Sequence, residues 1–136
     1  MARLVPKIYP SDINENIPIG IAFPLSVGTQ KQNYTTTSQV HDNLRNLILT
    51  IKGERVNLPT FGSDLYLLLF EQMYQDTLAS SARLAIKDAV AEWMPFVTIH
   101  TVEVTPDSDN NKITIQVDYS VQGWPASNTL NLAVNV

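Results

Sequence analysis

Four carboxylates sit near the middle of the chain: Glu54, Asp64, Glu71 and Asp76. Two carboxyl groups flanking a cleft can hydrolyse a glycosidic bond, one as general acid and the other as nucleophile or base. Local sequence gives each of the four a simpler task. Glu54 follows a turn glycine and precedes Arg55, which suits an ion pair or a bond to the backbone. Asp64 and Asp76 stand where helices begin, and a carboxylate there accepts from the orphan N–H groups of the first turn. Glu71 ends an apolar stretch. No two of them are spaced as an acid and its nucleophile, so no catalytic residue is assigned.

The remaining reactive types are sparse. His41 and His100 are far apart in sequence, one on the polar side of a predicted helix and the other in a predicted strand. Neither belongs to a zinc-ligand spacing, and neither sits beside a nucleophile-elbow serine. No glycine-rich phosphate loop occurs. No metal or cofactor is expected. The chain has no cysteine. That excludes disulfides, thiolate ligands and Cys nucleophiles, and it fits cytosolic synthesis.

Composition narrows the class further. Nine basic against thirteen acidic side chains give a net charge of −4, with no run of Lys or Arg. Phosphate backbones demand clustered positive charge, so no nucleic-acid partner is expected. Apolar residues at 44% and charged residues at 16% exclude a disordered tail. No window is long enough to span a bilayer. Met1 to Ser11 lacks the apolar core of a signal peptide. The expectation is a soluble chain with no membrane partner, not exported by a signal-peptide route.

The elements that must position these residues can be read from periodicity. The 136 residues are expected to form a single domain, 1–136. Residues 1–30 read as an extended, loop-rich N-terminal arm, interrupted by Pro6, Pro10, Pro18 and Pro24. Ile17, Ile19, Ile21 and Phe23 alternate as a short extended piece. Asn33 to Thr37 reads as an edge strand. The helical part spans 38–94. Ser38 is expected to cap a first helix, with Val40, Leu44, Leu47, Ile48 and Ile51 on one face. Gly53 is expected to end it. A second helix, capped by Ser63 or Asp64 and running to about Met73, is apolar on nearly every side. Such a helix is central or covered by a partner. A third helix, capped by Asp76, runs from Thr77 to Met94 with Leu78, Ala82, Ala85, Ala89 and Trp93 inward, and Pro95 stops it.

The last part, 96–136, reads as antiparallel strands. Apolar parity changes between Ile99 and Val102, which a bulge near His100 explains, as does a strand buried on both faces. Asp107 to Asn111 is a turn. Ile113, Ile115, Val117, Tyr119 and Val121 alternate strictly with polar residues, and Leu130, Leu132, Val134 and Val136 alternate again. The fold class expected is α+β, three helices packed on a small antiparallel β-meander. Trp93 reads as core. Trp124, in a Gly-Trp-Pro loop, is the contact candidate.

Several ordered motifs carry a resemblance. They are a capped helix, Gly53-Glu54-Arg55, Pro59-x-Phe61-Gly62, Leu69-Phe70-Glu71, a long helix ending at Trp93, and a strand pair. Over about Phe23 to Tyr119 this order resembles the small baseplate wedge proteins of contractile-tailed phages, a sheath-initiating family once called lysozyme-like. Similar subunits occur in type six secretion and extracellular contractile injection systems. Where the family usually has Glu-Pro-Arg, this chain has Met94-Pro95-Phe96, so a contact there is apolar rather than charge-assisted.

The resemblance implies a non-enzymatic structural subunit of the virion tail baseplate, assembled in the host cytoplasm with six copies per baseplate. Its implied partners are the tail sheath protein, other wedge subunits, and tail tube or hub proteins. Implied docking residues are Gly53, Glu54, Arg55, Pro59, Phe61, Gly62, Met94, Pro95 and Phe96. An exposed sheet edge can accept a foreign strand. The sheet for that is carried by Ile113, Ile115, Val117, Tyr119, Leu130, Leu132 and Val134. The alternative is a peptidoglycan-degrading hydrolase using Glu54 or Glu71. A third reading is a generic α+β binding module.

Overall fold

The computed structural model describes residues 14, 16–25, 27–71, 75–107, 109–124 and 126–135. Met73, Pro125 and Val136 lie outside what is described; the second helix ends at Phe70, short of the expected Met73, and the third begins at Gln75, which puts Asp76 inside it rather than at its cap. The elements in chain order are β1 (Gly20–Ile21), β2 (Gln32–Asn33), α1 (Thr36–Leu49), α2 (Leu65–Phe70), α3 (Gln75–Trp93), β3 (Val97–Asp107), β4 (Lys112–Val121) and β5 (Ser127–Asn135). These three helices, with one two-stranded and one three-stranded antiparallel sheet, make an α+β fold. The chain divides into two compact units, Met1–Leu44 and Arg45–Val136, the division falling inside α1.

In the second unit, strict alternation builds the sheet. Ile113, Ile115, Val117, Tyr119 and Val121 are all buried, while their neighbours along β4 face the wetter side. β4 is the centre strand, paired with β3 on one side and β5 on the other. Leu130, Leu132 and Val134 of β5 fall on the same buried face. In β3 the buried residues shift from Val97 and Ile99 to Val102, and the register slips between Ile99 and Thr101. His100 is the extra residue of a bulge, which restores the inward parity of the strand.

Helix α3 packs on β3, and α2 packs on α3. Leu78, Ala82, Ile86, Ala89 and Val90 are buried. The helix ends at Trp93, and Pro95 follows in the turn that leads to β3. Arg83 ties helix to sheet by donating to the His100 carbonyl at 3.0 Å.

Three expected boundaries moved around α1. Helix α1 begins a turn before Ser38, because Thr35 caps it: the Thr35 Oγ1 accepts from the Ser38 N–H at 3.3 Å. That takes the expected edge strand, leaving only Gln32–Asn33 as β2. Helix α1 also ends at Leu49, four residues before Gly53. Thr50 finishes it by donating its hydroxyl to the Asn46 carbonyl at 2.6 Å.

In the first unit, β1 and β2 pair across a short hairpin. Asn33 and Asp42 are both buried there. The Asp42 carboxylate accepts from the Asn33 amide at 2.7 Å and from the Phe23 N–H at 3.2 Å. Of the alternating set Ile17, Ile19, Ile21 and Phe23, the first and third are exposed and the other two half-buried, so none is fully buried.

Candidate docking surface

Segment 52–62 is a loop closed at its neck. Ile51 and Ser63 form an isolated parallel bridge. The Ser63 N–H donates to the Thr50 carbonyl at 2.9 Å, and its hydroxyl donates to the Ile48 carbonyl at 2.7 Å. Gly62 makes this approach possible. Its φ is +127°, and a Cβ there would lie 2.5 Å from the Thr50 carbonyl oxygen, which no side chain tolerates. Gly53, at φ +91°, occupies the third position of a turn closed by the Glu54 N–H on the Ile51 carbonyl at 3.1 Å. Positive φ is needed at such a position in several turn types. A loop of this length whose ends meet and whose own groups brace it is an Ω-type loop.

The carboxylates of the region are committed to this scaffold. Asp64 does not cap α2 through its side chain; it pairs with Lys52 at 2.9 Å. Both partners are substantially exposed, so the pair contributes about 0–1 kcal/mol. The Glu54 carboxylate accepts from the Ile51 N–H at 3.2 Å rather than pairing with Arg55. Glu71 is exposed just past the end of α2.

Arg55 instead lies over an aromatic ring. Its guanidinium carbon is 4.0 Å from the Phe61 centroid, a cation–π contact. Phe61 in turn meets Trp93 edge-to-face, with centroids 5.1 Å apart and planes at 68°. Trp93 is half-buried rather than fully in the core, and its Nε1–H is shut off from solvent with no acceptor among the described residues. Around this stack Val56 is 95% exposed and Leu58 46%. Pro59 and Pro95 are exposed as well, and Phe96 is 39% exposed.

The structure thus brings Arg55, Phe61 and Trp93 together and carries Pro95 and Phe96 on the turn that follows Trp93. Met94 is different: at 6% exposure it is buried and presents no side chain for docking. Helix α2 is apolar all round yet only partly covered; Leu65 and Leu69 are buried, whereas Leu67 and Phe70 are exposed. Trp124 is half-buried in the turn after β4, its backbone N–H donating to the Val121 carbonyl at 3.0 Å.

The sheet residues separate by strand. The side chains of Ile113, Ile115, Val117 and Tyr119 are buried, and the main chain of β4 is paired on both sides, so β4 has no edge to offer. Leu130, Leu132 and Val134 are buried too, but among the described residues β5 pairs with β4 on one side only. Along β5 the register with β4 runs without a slip for nine residues that include no proline and no charge.

His100 lies closer to a serine than its sequence neighbours suggest. Its Nε2 is 2.8 Å from the Ser120 Oγ across the exposed face. Among the described residues no carboxylate bonds the other ring nitrogen, so nothing orients a base as a triad requires. Among the described residues no group of three or more His, Cys, Asp or Glu side chains gathers as metal ligands. No described helix is long and apolar enough to cross a membrane.

Residues 35–126 match the family described as Baseplate wedge protein gp25. The chain belongs to that family. It is thereby a structural component of a contractile-tail baseplate. Solved structures share the fold of this wedge protein. A Geobacter sulfurreducens protein provisionally named a tail lysozyme is 21% identical, with a TM-score of 0.67 over 85% of this chain and 96% of the other. A chain of the type VI secretion system baseplate complex is 18% identical, with a TM-score of 0.57 over 72% of this chain and 91% of its own. A chain of the anti-feeding prophage baseplate is 19% identical, with a TM-score of 0.52 over 84% of this chain and 82% of its own. No curated protein matches.

Proposed function

We propose that the protein is the wedge subunit on which the first ring of tail sheath is laid down, by addition of a sheath strand to the free edge of β5. The single observation behind this reading is that edge: nine residues, unslipped, uncharged and free of proline. Sheet edges not meant for pairing are blunted by charge, proline or a bulge. The opposite border of the sheet is blunted in this way, since β3 carries the bulge at His100 and Pro106. A β5 edge left open among baseplate components fits strand addition, where main-chain bonds give affinity and alternating side chains give register.

In this reading the subunit performs no chemistry. It holds its wedge neighbours through the 52–62 loop and the Pro95-Phe96 turn. Six copies surround the tube, assembled in the host cytoplasm. The fixed edges then set the register of the first polymer layer and pass baseplate rearrangement into the sheath.

Asn131 and Ala133 are both exposed on β5. Replacing both by Lys leaves the buried face intact and charges the edge. The expected result is a folded protein that enters baseplates but no longer starts sheaths. Normal sheath growth from such baseplates would rule out strand addition at β5.

A further inference from the structure

We propose that unassembled copies of this chain pair edge to edge through β5, antiparallel about a two-fold axis at Asn131, so that each copy masks the other's free border. The dimer follows from the edge alone; its role as a mask rests on the reading of that edge as the place where a sheath strand adds.

The register shows which main-chain groups are free. The Gln122 N–H donates to the Phe96 carbonyl at 2.8 Å, one step beyond the Val97–Val121 pair. Gln122 therefore turns its main chain toward β3. Alternate residues of an antiparallel ladder turn the same way, so the even-numbered residues of β4 all face β3. Ile113, Ile115, Val117 and Tyr119 face β5 instead, and bond Val134, Leu132, Leu130 and Asn128 opposite them. That leaves Ser127, Thr129, Asn131, Ala133 and Asn135 on β5. Their N–H and C=O groups point away from β4, and among the described residues no strand receives them.

This row is its own complement. A two-fold axis perpendicular to the sheet at Asn131 sets Asn131 opposite its own copy. Thr129 then stands opposite Ala133 of the second copy, and Ser127 opposite Asn135. Centring the axis one residue either way leaves an outward residue at one end unmatched, so the full row selects one register. The axis also keeps the buried faces of the two sheets on the same side, with Leu130 beside Leu132 of the second copy. A self-complementary patch of this kind is what a closed two-fold dimer requires.

Charge selects no other occupant. The outward residues are exposed and neutral, so no like charges meet across the axis. At the centre two Asn side chains are neighbours, and each amide can both donate and accept. An unpaired row is a template for any strand that arrives. In a solution of this chain alone, the strand of matching length and parity is another β5. Both occupants use the same N–H and C=O groups, so a paired edge cannot receive a sheath strand. Sheath addition then waits until the subunit is built into the baseplate.

The test uses the full chain, which has no cysteine of its own. Sedimentation equilibrium of the wild type is expected to show reversible doubling of the 15.2 kDa mass as concentration rises. The double variant Asn131→Lys, Ala133→Lys is expected to keep the single mass. Asn131→Cys is expected to link into a disulfide dimer on mild oxidation, because a hydrogen-bonded pair holds its Cα atoms about 5.5 Å apart. Ser127→Cys is expected not to link, since its copy lies about eight residues along the strand, roughly 27 Å away. A wild type that keeps the single mass at every concentration overturns the dimer. A dimer that survives the two lysines, or equal linking of both Cys variants, overturns pairing about Asn131. If the wild type is monomeric and the lysine variant still fails to start sheaths, only the dimer falls. If the dimer forms as described and the lysine variant starts sheaths normally, strand addition falls and the dimer stands.

Discussion

Asp42 shows how much one side chain can fix. Its carboxylate is buried and holds both the Asn33 amide and the Phe23 N–H, which pins the β1–β2 hairpin to α1 within the first unit. Truncation removes the acceptor of the Phe23 N–H and the shortest bond of the Asn33 amide, which keeps only the longer ones to Gln39 Oε1 at 3.2 Å and the Ile21 carbonyl at 3.4 Å, at about 1–3 kcal/mol. Asp42→Ala is accordingly expected to lower the urea midpoint by that much stability and to raise amide exchange through Gly20 to Asn33. Asp107 acts at the end of β3. A bond from the Asn110 amide, with support from the Asp109 N–H, holds its carboxyl below the usual carboxylate range. A lowered folded value means that the anion stabilises the turn. The contribution is fully present above the ordinary carboxylate range and fades as pH falls through the lowered value. Amide exchange at Asp109 is expected to quicken over that acid window in the wild type and to show no such step in Asp107→Asn. Sequence did not foretell the Asn33–Asp42 pair, because nothing local marks two polar residues nine positions apart as mutual partners. Nor did it foretell that Arg55 would turn to Phe61 instead of Glu54; that choice is made by the loop closing on itself.

Elements with a solvated face were the most readable. Strand β4 alternates because one side is buried and the other meets water, so its period could be taken directly from Ile113 to Val121. The bulge was only half readable, since the change of inward parity also fits a strand buried on both faces, and the register slip between Ile99 and Thr101 decides for the bulge. Helix ends were harder. Thr35, Thr36, Thr37 and Ser38 all have capping chemistry, and only the chain's path to β2 selects Thr35. Gly53 looks like a helix terminator by type, yet its positive φ serves a turn beyond Thr50. The centre strand also sets the stability of the second unit. Ile115 is fully buried between two paired neighbours. Ile115→Ala is expected to cost about 2–5 kcal/mol in denaturant unfolding, by lost transfer energy and a residual cavity. A smaller cost would mean that the sheet collapses around the gap.

At the level of the whole molecule, the question is whether a protein with relatives named for lysozyme cuts anything. Glu54 is bonded to its own backbone, and Glu71 is exposed past the end of α2. Glycoside hydrolysis needs two carboxyl groups on either side of a cleft. Purified protein is expected to leave peptidoglycan uncleared in a zymogram at any loading. Clearing that vanishes in Glu71→Gln or Glu54→Gln would overturn the non-enzymatic reading.

The neck at Gly62 and Ser63 has an evolutionary consequence. With both ends of segment 52–62 fastened together, the polypeptide between them is a tethered cassette on a rigid chassis. Doubling the length of such a tether costs only about 0.6 kcal/mol in closure entropy. Related injection machines can thus rewrite the tip, in both lettering and length, while the body beneath keeps its shape. Whom the subunit greets and how it stands up are free to diverge at different speeds.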